Sequence, residues 1–217
     1  MSGPGRTRIK VCGVTSVRAA VAAAEAGADA VGLMFVPQSP RAVRPDVGFE
    51  IMSALPPMTM AIGVVRDLAF DEFVELEQAC PCHHMQLHGS ENEATVEQCG
   101  PDVIRAIKFN AEAIDADLQR WANAEGVGAI LVDGSAGGEG TEFDWSALAA
   151  HVSEGCVYGK PLIVAGGLSP ENVAEAVRTV RPYAVDVSSG VESSPGVKDD
   201  AKLRAFCDAV READSSR

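Results

Sequence analysis

The stretch RIKVCGVTSVRAAVAAAEAGADAVGLMF, residues 8–35, sets the pattern for the rest of the chain. A short apolar run, Ile9–Cys12, leads through a turn into the Ala-rich segment Val17–Ala26. Gly27 ends that segment, and a second apolar run follows at Ala30–Phe35. Thr15 or Ser16 can cap the first turn of a helix there, and Gly27 can take the left-handed closing conformation. The stretch is one strand–helix–strand unit, and parallel strands joined in this way form a sheet covered by helices.

Working outward, the same unit recurs. Candidate strands are Ile9–Cys12, Ala30–Phe35, Met60–Val65, His84–Leu87, Val103–Lys108, Ala129–Val132, Pro161–Ala165 and Ala184–Val187. Eight is the number that closes a (β/α)8 TIM barrel. Helices are expected at Val17–Ala26, Phe70–Gln78, Ala111–Ala124, Trp145–His151 and Ala201–Glu212. One more is expected to start at Ser169-Pro170-Glu171-Asn172, with Ser169 as cap and Pro170 in the first turn. The expected organisation is one barrel domain over residues 8–212 with flexible tails at 1–7 and 213–217.

Composition narrows the function classes. The 217 residues are 47% hydrophobic, enough for one sizeable core. A net charge of −13 with no basic patch argues against nucleic acid and anionic membranes as partners. The acidic balance would also suit a high-salt cytoplasm, although a compositional bias explains it equally well. No run has signal-peptide or membrane-spanning character, so a cytoplasmic location is expected. Cys12, Cys80, Cys82, Cys99, Cys156 and Cys207 are scattered and read as reduced thiols.

In such barrels the loops leaving the C-terminal ends of the strands build the active site. Two glycine-rich turns close the last two strands, Gly166-Gly167 and Ser188-Ser189-Gly190. Backbone without side chains can approach a phosphate there, with the two serine hydroxyls as further donors. Gly137-Gly138-Glu139-Gly140 reads as a lid, a phosphate contact or a plain surface loop.

Cys12 stands at the mouth of strand one, as a catalytic thiol or as an inert buried one. For catalysis its pKa must be depressed by nearby amides or a cation. Asp133 ends strand six, across the barrel, as a proton donor or as a loop cap. A thiolate base facing a protonated acid across a sugar suits an isomerisation that needs no metal or redox cofactor. Arg41 can fork onto a substrate carboxylate or form a rim ion pair. His88 can hold substrate or serve the structure. Cys80-Pro81-Cys82-His83-His84 is badly spaced for one tetrahedral ion, and no metal is expected.

Taken in order, Lys10-Val11-Cys12-Gly13-Val14-Thr15, Pro37-Gln38-Ser39-Pro40-Arg41, Gln86-Leu87-His88-Gly89, Leu131-Val132-Asp133, Phe143-Asp144-Trp145, Ala165-Gly166-Gly167-Leu168 and Asp186-Val187-Ser188-Ser189-Gly190-Val191-Glu192 resemble the phosphoribosylanthranilate isomerases of tryptophan biosynthesis. The resemblance spans Lys10 to about Val210. It implies an Amadori rearrangement of a phosphorylated aminoaldose to the ketose, without cofactor. In it Cys12 is the general base, Asp133 the general acid and Arg41 the partner of the anthranilate carboxylate. The phosphate falls on the loops of Gly166, Gly167, Ser188, Ser189 and Gly190. Two places depart from the family pattern, Arg66-Asp67 after strand three and Thr141-Glu142 after the last lid glycine. They bear on lid contacts and affinity rather than on the reaction.

Two other readings stand beside this one. The phosphate end alone also fits another sugar-phosphate barrel enzyme, such as an epimerase, although an epimerase of this kind needs metal ligands that a single His88 does not supply. A barrel that only binds a phosphorylated ligand would have no need of both Cys12 and Asp133. Monomer and homodimer both remain open.

Overall fold

Strand-forming β-branched runs alternate with amphipathic helices, and eight strands pair in parallel around a closed ring. The computed structural model describes residues 5–134 and 144–215. The barrel strands are β1 (Arg8–Cys12), β2 (Ala30–Met34), β3 (Met60–Val65), β4 (His84–Leu87), β5 (Val103–Lys108), β6 (Val127–Asp133), β7 (Lys160–Ala165) and β8 (Ala184–Val187). Each pairs with the next, and β8 pairs with β1, Lys10 opposite Asp186, to complete the circle. The helices are α1 (Val17–Ala26), α2 (Pro45–Ser53), α3 (Phe70–Ala79), α4 (Glu93–Cys99), α5 (Ile114–Asn123), α6 (Trp145–Ala149), α7 (Val173–Val180) and α8 (Asp200–Ser215).

Side chains alternate between the two faces of each strand, which divides the core in two. Outward residues such as Val11, Leu33 and Leu87 pack under the helices in the larger cluster. Inward residues Ala30, Ile62, Ile104, Ala106, Leu131, Ile163, Ala165 and Ala184 fill the barrel itself. Above them, polar side chains such as Gln86, His88, Asp133 and Asp186 line the mouth.

Several expectations change. Helices α2 and α4 were not foreseen, because each buries only two residues and so carries a weak apolar period. Their start signals are local. Pro45 and Asp46 open α2, and the Asn92 side chain accepts the Thr95 amide proton at the head of α4. Ser169 does not cap α7, which begins only at Val173. Instead, residues 169–172 form a turn in which the Asn172 side chain accepts from the Ser169 amide and donates to the Gly167 carbonyl. The helix expected at 111–124 is shorter, as is the one at 145–151. Helix α8 runs on to Ser215, and Thr7 is buried against Asp214, which it contacts through both amide and hydroxyl. Two short antiparallel pairs add to the barrel. Cys156–Val157 folds onto the start of β7, and Glu192–Ser194 pairs with Val197–Lys198 beyond β8.

The lid stretch Gly137-Gly138-Glu139-Gly140, with Thr141, Glu142 and Phe143, lies outside the described residues.

Candidate active site

The strand ends converge on a cavity of about 260 Å³ at the C-terminal mouth of the barrel. Eight of the nine residues singled out from the sequence line it: Cys12, Arg41, His88, Asp133, Gly166, Gly167, Ser188 and Ser189. Gly190 does not. A Cβ there would come within 2.0 Å of the Leu168 carbonyl oxygen, so this glycine lets the last two loops touch.

The two glycine loops differ in what they offer. Gly166 has φ +91°, and an added Cβ would meet the Gly134 nitrogen at 2.4 Å and Asp133 Oδ1 at 2.6 Å. Only a glycine lets the backbone pass so close to that carboxyl. In the other loop the Ser188 hydroxyl donates to the Cys12 carbonyl at 3.1 Å, which ties β8 to β1. Ser189 is exposed, and its hydroxyl bonds to no described residue.

Of the two sequence readings of Arg41, the structure shows the ion pair. Arg41 forms a bidentate pair with Glu192, Nε to Oε1 and Nη2 to Oε2 at 2.8 Å each, on the rim of the cavity. That pair occupies one edge of the guanidinium and leaves Nη1 for a ligand carboxylate. Glu192 also accepts from Lys198 at 2.8 Å. Burial alone would push the Glu192 carboxyl up, but these two cations hold it below its ordinary value.

His88 bridges the far wall. Its Nδ1 lies 3.2 Å from Gln86 Nε2, and its Nε2 is 3.6 Å from Asp133 Oδ2, too long for a hydrogen bond. Burial pulls His88 below its ordinary pKa despite Asp133, so the ring is neutral at neutral pH.

Sequence reasoning singled out no functional role for four groups that the barrel brings to this mouth. Lys10 and Asp186 form a buried ion pair at 2.8 Å just below Cys12. Glu192 and Lys198 form a second one, their side chains 4% and 1% exposed. A signal existed for the first pair. Lys10 and Asp186 are charged residues inside apolar strands and share the inward period with Cys12 and Ser188. Glu192 and Lys198 lie in an irregular hairpin with no such period.

The histidines beside Cys80 and Cys82 serve the fold. His83 Nδ1 accepts from the Ala61 amide, and His84 Nδ1 lies 3.2 Å from the Asp102 carbonyl. Among the described residues no cluster of three His, Cys, Asp or Glu is arranged to hold a metal.

With this geometry in place, comparison with known proteins is specific. The family model described as N-(5'phosphoribosyl)anthranilate (PRA) isomerase matches residues 9–209. A curated relative of that name from Pseudomonas fluorescens (strain Pf0-1) is 45% identical over 208 residues, covering 94% of this chain and 98% of the relative. The crystal structure of phosphoribosyl anthranilate isomerase from Thermotoga maritima superposes with a TM-score of 0.85 at 33% identity, covering 95% of this chain and 99% of that one. A further isomerase structure, in complex with reduced 1-(o-carboxyphenylamino)-1-deoxyribulose 5-phosphate, has a TM-score of 0.82 at 33% identity, with coverage of 95% and 99%. Near-complete coverage in sequence and in fold, over a chain whose motifs meet in one cavity, means that this protein belongs to the N-(5'-phosphoribosyl)anthranilate isomerase family.

Proposed function

We propose that this cavity converts N-(5'-phosphoribosyl)anthranilate to 1-(o-carboxyphenylamino)-1-deoxyribulose 5-phosphate, with Cys12 as the base and Asp133 as the acid. The observation that carries the assignment is that a thiol and a carboxyl on β1 and β6 line one cavity whose other walls hold the glycine loops and Arg41.

The substrate lies with its phosphate against the amides of the Gly166-Gly167 and Ser188-Ser189 loops and its anthranilate carboxylate toward Arg41 Nη1. Asp133 protonates the furanose ring oxygen, and the C1'–O bond breaks as the nitrogen lone pair forms the imine. The Cys12 thiolate then takes the C2' proton, and the electron pair moves to give the enolamine. Loss of the C2' hydroxyl proton and protonation at C1' complete the ketose. Neutral His88 sits beside Asp133 with Nδ1 accepting from Gln86 Nε2, which leaves its Nε2–H to donate to a sugar oxygen without competing for the acid's role. The chemistry is proton transfer throughout, within the barrel of residues 8–212. No helix among the described residues is long and apolar enough to cross a membrane.

Purified protein should consume the aminoaldose without metal or nucleotide, read as loss of its fluorescence. Folded Cys12→Ala and Asp133→Asn variants should each lose on the order of a hundredfold or more in kcat. Unchanged turnover in either one would overturn that residue's role.

A further inference from the structure

A base on the C2' carbon must be a thiolate, yet Cys12 is only 6% exposed, in a setting that favours the neutral thiol. What surrounds the sulfur is therefore decisive. Lys10 and Cys12 are two residues apart on β1 and project into the barrel together. Their neighbour on β2 is Gly32, paired in register with Cys12. A Cβ on Gly32 would lie 2.7 Å from Cys12 Sγ and 3.2 Å from Lys10 Nζ, so sulfur and ammonium share the space above this one glycine.

From β8, Asp186 Oδ2 accepts from Lys10 Nζ at 2.8 Å, while Asp186 Oδ1 is buried with no hydrogen-bond partner among the described residues. Lys198 approaches from the hairpin beyond β8, held by Glu192 and the Ser188 carbonyl, and Arg41 approaches from the loop after β2. Burial pushes the Cys12 thiol up, Lys10 and Lys198 pull it back, and Asp186 opposes them. Of the two lysines, Lys10 is the one fixed to the same strand as the sulfur. A buried ion pair is a weak source of stability, so the consequence of this one lies in its field at the adjacent sulfur.

We propose that the Lys10 ammonium, oriented by Asp186, is the counter-ion of the Cys12 thiolate, a positioning residue that makes this thiol a base. The thiol proton leaves to solvent, and the thiolate stays beside the ammonium until it takes the C2' proton. This deepens the assignment of Cys12 as the base and rests on it.

The test is alkylation of Cys12 by iodoacetamide as a function of pH, followed on the Cys12 peptide by mass spectrometry, because the rate tracks the thiolate fraction. Lys10→Met should raise the midpoint by about one pH unit or more, Lys10→Arg should keep it near that of the unaltered protein, and Asp186→Asn should lower it. An unchanged midpoint in folded Lys10→Met overturns the proposal. Should Lys10→Met not fold, an unchanged or raised midpoint in Asp186→Asn overturns it instead. The pH dependence of kcat/KM separates the two claims. If the alkylation midpoint moves and the acid limb of the rate profile does not, the counter-ion stands and Cys12 is not the base.

Discussion

The two walls of the cavity are built on different principles. On the β1/β8 side every charge is fixed by a partner: Lys10 on Asp186, Lys198 on Glu192 and Arg41 on Glu192, all at 2.8 Å. On the β4/β6 side Gln86 Oε1 has no hydrogen-bond partner among the described residues, and His88 stands 3.6 Å from Asp133. The charged wall is held by its own ion pairs, the arrangement that the proposed thiolate and substrate carboxylate would need. The β4/β6 wall holds one buried acceptor, Gln86 Oε1, that no described residue uses.

The sharpest way to break this contrast is to remove one proton-transfer group from each wall. Cys12→Ala and Asp133→Asn should both cost on the order of a hundredfold or more in kcat, the largest effects expected. If one costs far less, its wall is a binding surface and not part of the chemistry.

Next comes Glu192→Gln, which strips two cations of their shared anion. Leaving buried Lys198 without its carboxylate should destabilise the fold by about 3 kcal/mol in thermal or urea unfolding. KM should rise as Arg41 loses its orientation. The sign with pH follows from a folded pKa held below the unfolded one. The Glu192 contribution is complete above the unfolded carboxylate value and is lost as pH falls through the folded value. Unfolding curves of Glu192→Gln should therefore converge on those of the unaltered protein in acid. A constant difference across that range would mean the charged wall is held by packing instead.

Gly166→Ala tests the seam between the walls. A Cβ at φ +91° that meets Gly134 and the Asp133 carboxyl should cost on the order of 1–3 kcal/mol and displace the acid, lowering kcat as well as stability.

The smallest effect is expected on the β4/β6 wall, from His88→Gln, a loss of roughly tenfold or less in kcat/KM. Because burial holds His88 below its ordinary pKa, the neutral ring contributes stability above that ordinary value. That contribution fades as pH falls from the unfolded value through the folded one, and the variant should lack this step. A rate profile in which His88→Gln abolishes a titration near neutrality would show a charged histidine and unsettle the contrast.

Legibility in the sequence followed the strength of local signals. Met60–Val65, His84–Leu87, Val103–Lys108 and Ala184–Val187 are read with their observed bounds because each apolar run is flanked by turn or charged residues. Helix α2 was hidden by burying only Gly48 and Ile51, and α7 by a serine that looks like a cap but closes a turn. Eight of the nine candidate site residues, each in a named motif at a strand end, line the one cavity, and Gly190 lies against Leu168 beside it.

By itself the sequence determined the eight-unit order, the chemical types at the strand ends and the family, since these depend on local period and on residues within a few positions of one another. The tertiary structure decided which charges meet. Lys10 and Asp186 are 176 residues apart, and Arg41 and Glu192 are 151 apart. Coulomb energy depends on separation through space, and only closing β8 onto β1 turns two inward-facing positions into an ion pair beneath Cys12.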